Sequence, residues 1–221
     1  MRSDDSVKQF FDSYSDRFDQ VYRRDNSLKA RFDRLLRRSI YERFDYVMGA
    51  AKGMGDVSVL DVGCGSGRYA VALARAGAGK VVGVDFAPSM VEMANTLARE
   101  TGVADRVHIF AADFLQAPLD EKFDLSIAMG YFDYTMDPLA HLKRMAEHTT
   151  KRLIASFPSW SLFRSPQRRL RYRVLHHSPV YFYREADVRR LAETAGLRSF
   201  RIVRMKGGPG TDMLLDARLD G

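Results

Sequence analysis

From residue 57 onward, short apolar runs rich in β-branched residues alternate with segments whose apolar positions recur every three or four residues. Val57 to Val62, Lys80 to Phe86, Val107 to Ala112, Phe123 to Met129 and Arg152 to Phe157 read as buried strands. Between them, Arg68 to Ala76, Pro88 to about Glu100 and Pro138 to about His148 read as helices. Proline suits a first helical turn, because the N–H it lacks would be unpaired there anyway. Such alternation predicts a mainly parallel sheet covered by helices on both faces. A helix from about Glu185 to Ala195 then precedes two more strands, Phe200 to Met205 and Met213 to Leu219. Their link, Lys206-Gly207-Gly208-Pro209-Gly210, is too short for a crossover helix, so the pair is expected to be antiparallel.

Two regions flank or interrupt this pattern. Ahead of it, about Asp4 to Phe18 carries Phe10, Phe11, Tyr14 and Phe18 in a polar background, which suits a short amphipathic helix. Ser27 to about Ala51 is a longer helix, with Leu28, Phe32, Leu35, Leu36, Ile40, Phe44 and Val47 at helical spacing and basic residues between them. About Ser159 to Tyr183 fits neither strand nor helix and interleaves arginines with aromatic residues. The expected organisation is a pair of capping helices over residues 1–52 and a core over 53–221, with an inserted lid at about 159–183.

The sharpest local signal is Val59-Leu60-Asp61-Val62-Gly63-Cys64-Gly65-Ser66-Gly67. A strand ends in an acid, and three alternating glycines lead into a helix. Glycine permits the tight turn and lets a ligand lie against bare backbone, where a Cβ would collide. Taken alone, the loop also admits a dinucleotide reading, since Gly65-Ser66-Gly67-Arg68-Tyr69-Ala70 satisfies G-x-G-x-x-A. In that frame, however, the first glycine falls two residues late relative to the strand end. The following acids decide between the two. Asp85 ends the second strand about 20 residues beyond the loop, where an acid can accept both ribose hydroxyls. Asp113 ends the third strand in Ala111-Ala112-Asp113-Phe114.

Together these residues resemble the class I S-adenosylmethionine-dependent methyltransferases, over roughly residues 55 to 219. The resemblance implies an α/β fold, a Rossmann-like, mainly parallel seven-stranded sheet with helices on both faces and a C-terminal antiparallel hairpin. It implies S-adenosylmethionine as cofactor, with Gly63, Gly65 and Gly67 holding the methionine end and Asp61 helping to orient it. Asp85 would take the ribose and Asp113 the adenine amine, with Phe86, Met90 and Phe114 sandwiching the ring. Met129, at the end of the fourth strand, matches the next motif, and Tyr14 is a candidate cap on the methionine end. The aromatic N-terminal helices are similar to those of quinone-pathway and magnesium-protoporphyrin methyltransferases, without fixing a substrate.

Composition narrows the function class. Of 221 residues, 35 are Lys or Arg and 28 Asp or Glu, a net charge of +7 that can attract phosphate, carboxylate or anionic lipid. The single cysteine, Cys64, excludes an internal disulfide and a cysteine metal cluster, so no metal is expected and a reducing, cytoplasmic setting is. No run approaches the roughly 18 apolar residues of a membrane span.

Acceptor candidates lie where the carboxyl edge of the sheet opens. Tyr131-Phe132-Asp133-Tyr134 follows the fourth strand and offers Tyr131 or Asp133 as a base within an aromatic wall. His141 sits on the next helix, a position more often occupied by a surface or core histidine than by a base. The Arg/aromatic insertion can grip an acidic, flat or lipid-like molecule. The Asn/Asp-Pro-Pro-Tyr signature of adenine-amino methyltransferases is absent after the fourth strand, and Cys64 is misplaced for covalent base methylation. These observations favour a small-molecule acceptor over nucleic acid. The charge leaves an RNA substrate open, and a non-catalytic cofactor-binding protein is the third reading.

Overall fold

The computed structural model describes residues 38–160, 180–206 and 211–219. Its strands are β1 (Ser58–Val62), β2 (Lys80–Asp85), β3 (Val107–Ala111), β4 (Phe123–Ala128), β5 (Thr149–Pro158), β6 (Ser199–Arg204) and β7 (Asp212–Arg218). Its helices are α1 (Arg38–Ala51), α2 (Arg68–Arg75), α3 (Pro88–Glu100), α4 (Pro138–Glu147) and α5 (Glu185–Thr194). The strands form one sheet in the order β3-β2-β1-β4-β5-β7-β6. Pairing is parallel from β3 through β5, and β7 runs antiparallel to both β5 and β6. The C-terminal hairpin therefore folds back to insert its second strand beside β5.

Alternation along the strands sorts the core into two layers. Leu60, Val62, Val82, Val84, Leu153, Phe157 and Leu215 pack with α4 (Leu142, Met145) and α5 (Val188, Ala192). Val59, Val81, Ile109, Leu125, Ile127 and Ile154 pack with α1 (Val47, Ala50), α2 (Leu73) and α3 (Ala94, Ala98). Full burial of each such Leu, Ile or Val contributes about 1.5–3 kcal/mol relative to exposure. Asp61 and Asp85 share the parity of Val59 and Val81, so both side chains face the α1–α3 layer.

Sequence expectations for these elements hold to within one residue at each end, with β5 and α1 as exceptions. β5 begins at Thr149 instead of Arg152. Thr149 pairs with Phe123 across a register irregularity in β4, and its hydroxyl lies within bonding distance of Ser126 Oγ and the Met145 carbonyl. Two β-branched threonines thus extend the strand straight out of α4. Only Arg38 onward of the helix expected from Ser27 is described, and the helix expected over about Asp4 to Phe18, with Tyr14, lies outside the described residues. So does residue range 161–179 of the expected lid.

Candidate active site

The glycine turn is built almost entirely from backbone. Gly63, Gly65 and Gly67 have φ of 66°, 51° and 76°, a left-handed region that side chains disfavour. Gly63 and Cys64 donate their N–H groups to the Val84 carbonyl of β2 at 2.8 and 3.2 Å, which ties the turn to the neighbouring strand. A Cβ at Gly67 would stand 2.7 Å from Ala94 Cβ, and one at Gly63 would stand 2.4 Å from a ring carbon of Tyr131. Gly67 ends the turn and starts α2 without a side-chain cap. The first-turn N–H groups of α2 therefore favour a negatively charged group at the loop. Gly83, in the middle of β2, leaves room for Cys64, whose Sγ would be 3.0 Å from any Cβ there.

Two carboxylates lie beneath this turn. Asp85 accepts hydrogen bonds from Gly65 N at 2.8 Å and from Ala87 N at 3.0 Å, one on each oxygen. An ionised carboxylate offers about four acceptor positions, so capacity remains for further donors. Asp61 is 1% exposed, and its Oδ2 has no hydrogen-bond partner among the described residues. Burial, and then the negative charge of Asp85, push the Asp61 carboxyl up to about 7, although the Ala70 N–H partly offsets this. Burial and the same two acids also hold the Cys64 thiol protonated, well above its ordinary range. A buried acceptor oxygen without a donor is costly. Such a pair can accept hydroxyl donors at Asp85 and a cation at Asp61.

The other residues expected at a cofactor site are distributed unevenly. Phe86 is half-buried, whereas Met90 is fully buried in α3. Phe114 belongs to the layer on the opposite side of the sheet, with its ring against Tyr131 and His141. Asp113 is exposed and accepts the Leu115 N–H at 2.9 Å, capping the short turn Phe114–Gln116. Met129 is half-buried against the α1–α3 layer.

Tyr131 follows β4 and brings its ring over Gly63, so the loop after β4 meets the glycine turn directly. Its ring centroid lies 5.5 Å from that of His141 on α4. His141 Nδ1 is 2.7 Å from the Asp137 carbonyl, which can only accept. In the neutral ring Nδ1 therefore carries the proton, and Nε2 is left as the proton acceptor. Asp133, the other candidate base, is buried against residues 180–183. Its backbone carbonyl accepts the Tyr181 N–H, and burial followed by the Asp133 charge pushes the Tyr183 phenol upward. The sequence reading named His141 but ranked it as a surface or core histidine, since no spacing shows that its ring meets Tyr131 ten positions earlier.

Residues 59–152 match the family model for a methyltransferase domain. Over these residues the chain is similar to methyltransferases. Its curated relatives include the ubiquinone biosynthesis O-methyltransferase of Actinobacillus pleuropneumoniae serotype 5b (strain L20). That protein is 39% identical over 102 residues, which cover 44% of this chain and 43% of the relative. The ribosomal protein L11 methyltransferase of Haemophilus influenzae (strain PittEE) is 41% identical over 73 residues, covering 33% of this chain and 24% of that one. The chain thus spans less than half the length of these methyltransferases. In overall fold it is similar to the magnesium protoporphyrin IX methyltransferase of Synechocystis PCC 6803 crystallised with SAH. There the TM-score is 0.77 at 24% identity, covering 97% of this chain and 98% of that one. Among the described residues, no helix is long and apolar enough to cross a membrane, and no group of His, Cys, Asp and Glu is arranged to hold a metal ion.

Proposed function

We propose that this chain transfers a methyl group from S-adenosylmethionine to a small-molecule acceptor that is flat or lipid-like and bears an acidic oxygen. The observation that carries the reading is the buried Asp61 oxygen without a donor, set beside a glycine turn and the doubly anchored Asp85. That constellation suits a nucleoside with a cationic amino-acid tail. Asp85 would take the ribose hydroxyls, Asp61 would face the ammonium group, and the N-terminus of α2 would favour the tail's carboxylate.

When bound, the cofactor supplies an already activated methyl carbon. The protein's part is alignment of the acceptor, exclusion of water and removal of a proton. Tyr131, seated on Gly63, walls the transfer point. We assign the proton to His141 Nε2 in preference to Asp133, which is buried under Tyr181 and Tyr183. Phe114 then acts as packing behind Tyr131 and His141, and Phe86 is the aromatic residue left to face the nucleoside. The choice of a small acceptor draws support from the similarity to the ubiquinone-pathway and magnesium-protoporphyrin enzymes. A relative that acts on a ribosomal protein shares comparable identity, so the shared segment speaks for the cofactor half and leaves the acceptor to the rest.

Calorimetry with S-adenosylhomocysteine is expected to show one site per chain. Label from methyl-labelled S-adenosylmethionine is expected to pass to members of a phenolic and carboxylic acceptor panel, and His141→Ala should slow that transfer at least tenfold. Absence of nucleoside binding, or binding of NADH in its place, would overturn the assignment. Transfer to RNA in place of the panel would overturn the choice of acceptor.

A further inference from the structure

Among the described residues, the methyltransferase reading leaves without a role a buried polar cluster at the carboxyl edge over β4, β5 and β7. Arg43, from α1, is 9% exposed and reaches this edge from a helix that elsewhere packs through Val47 and Ala50. Its Nη1 is 3.3 Å from Asp212 Oδ2, at the first residue of β7, and donates to Ser156 Oγ at 3.2 Å. The same Ser156 Oγ accepts the Gly130 N–H at 2.7 Å. Gly130 has φ of 78° and is the pivot at which the chain leaves β4 and delivers Tyr131 onto Gly63. A Cβ on Gly130 would be 3.8 Å from Arg43 Nη1, so the guanidinium lies directly against the pivot.

We propose that Arg43, oriented by Asp212 and acting through Ser156, is a positioning residue that sets the Met129–Tyr131 turn and so places the Tyr131 ring over the glycine turn. Arg43 and Asp212 pair with each other while both are largely buried. That argues for an orienting device and against a receptor for an anionic ligand. The hydroxyl of Ser156 has two donors converging on its oxygen, so its position is fixed by both at once. Moving α1 would therefore move Gly130, and the seat of the helix is linked to the wall of the transfer point.

The inference rests on the proposed function for its significance, so its test is read in two separate ways. The first needs neither cofactor nor acceptor. In hydrogen exchange, Arg43→Met is expected to raise the exchange rate of the Gly130 and Tyr131 amides about tenfold or more, while Ile127 in the same strand stays protected. Ser156→Ala, which keeps the Arg43–Asp212 ion pair, should reproduce the effect and serves if Arg43→Met fails to fold. The second is calorimetry with S-adenosylhomocysteine. Either variant should weaken binding about three- to tenfold, and neither should add to the effect of Tyr131→Ala when combined with it.

A merely structural role predicts otherwise: uniform exchange across β4 and additive losses with Tyr131→Ala. Unchanged Gly130 exchange in Arg43→Met, or additive losses in either variant, would overturn the positioning role. Failure of the unaltered protein to bind S-adenosylhomocysteine would overturn the cofactor reading and still leave the exchange result to decide the rest.

Discussion

Over β1, β2 and β3 the carboxyl edge of the sheet is finished by backbone, whereas over β4, β5 and β7 it is finished by side chains, with Arg43 reaching in from α1. On the first half, three left-handed glycines and the N–H groups of Gly65 and Ala87 shape the site, and both acids belong to strand ends. On the second half, Arg43, Ser156 and Asp212 hold the turn at Gly130. Further along the same strands, Tyr46 and Arg201 gather on Asp216 with Arg152. A backbone-built half tolerates few residue types and recognises one chemical shape. A half built from side chains can be rewired, which under the proposed function suits the end that chooses the acceptor.

The severest way to break this contrast is to remove the acid that anchors the glycine turn. Asp85→Ala leaves the N–H groups of Gly65 and Ala87 without their acceptor and removes the proposed ribose contacts. Bonds to a charged group contribute about 1.5–3 kcal/mol each, so S-adenosylhomocysteine affinity should fall at least about a hundredfold in calorimetry. A loss under about threefold would place the nucleoside elsewhere.

Gly67 and Gly130 sharpen the contrast, because both have φ near 80° and only their surroundings differ. A methyl group on Gly67 meets Ala94 Cβ at 2.7 Å and its backbone Cα at 3.0 Å, and neither can yield cheaply. Gly67→Ala should cost about 2–3 kcal/mol in urea unfolding, left-handed strain and collision together. Gly130→Ala meets no atom nearer than 3.8 Å, at Arg43, and should cost about 1 kcal/mol from strain alone. Equal losses would show that the turn after β4 is as tightly packed as the glycine turn.

Why one half was legible in the sequence and the other was not follows from the same difference. The turn from Asp61 to Gly67 is local, and Asp85 lies one strand later, so residue type and spacing already carry the geometry. The alternation of strands and helices, including the antiparallel hairpin, was legible for the same reason. Arg43 and Ser156 stand 113 positions apart, and Tyr46 and Asp216 stand 170 apart. Each alone looks like an ordinary helical arginine, strand serine or surface tyrosine. Phe114 shows the limit from the other direction: its place after the third strand suggested an aromatic wall for the nucleoside. The tight Phe114–Gln116 turn instead carries its ring to the α4 side.

The acid pair offers a gentler probe of the backbone-built half. Burial and the Asp85 charge hold Asp61 near 7, well above an unfolded aspartate near 3.8. Between those values the folded chain binds the extra proton, so this group's contribution to stability is present at low pH and is lost as pH rises through about 7. Ligand binding asks the reverse, since an ammonium group needs Asp61 ionised. S-adenosylhomocysteine affinity should therefore fall about tenfold per pH unit below 7 and level off above it. Asp61→Asn should bind poorly at every pH and yet be more stable than the unaltered protein at pH 8. An affinity flat from pH 5.5 to 8 would separate Asp61 from the cation.

The smallest effect is expected on the side-chain half, at Tyr46. Its hydroxyl donates to Asp216 Oδ2 at 2.6 Å and accepts from Arg201 Nη2 at 2.9 Å. Burial by itself would raise the Asp216 carboxyl, but hydrogen bonds from Arg152, Tyr46 and Arg201 outweigh it and bring the group down to about 2. With the folded value depressed, its contribution to stability is present above about 4 and is lost as pH falls toward 2. Tyr46→Phe removes one donor of several and leaves both arginines on the carboxylate. The cost in urea unfolding at pH 7 should be about 1 kcal/mol, shrinking by pH 2, with S-adenosylhomocysteine affinity unchanged. A matching loss of cofactor affinity would mean that α1 acts on the glycine turn from its whole length. The link would then run through the helix itself, and the Arg43–Ser156 contact would no longer be its specific route.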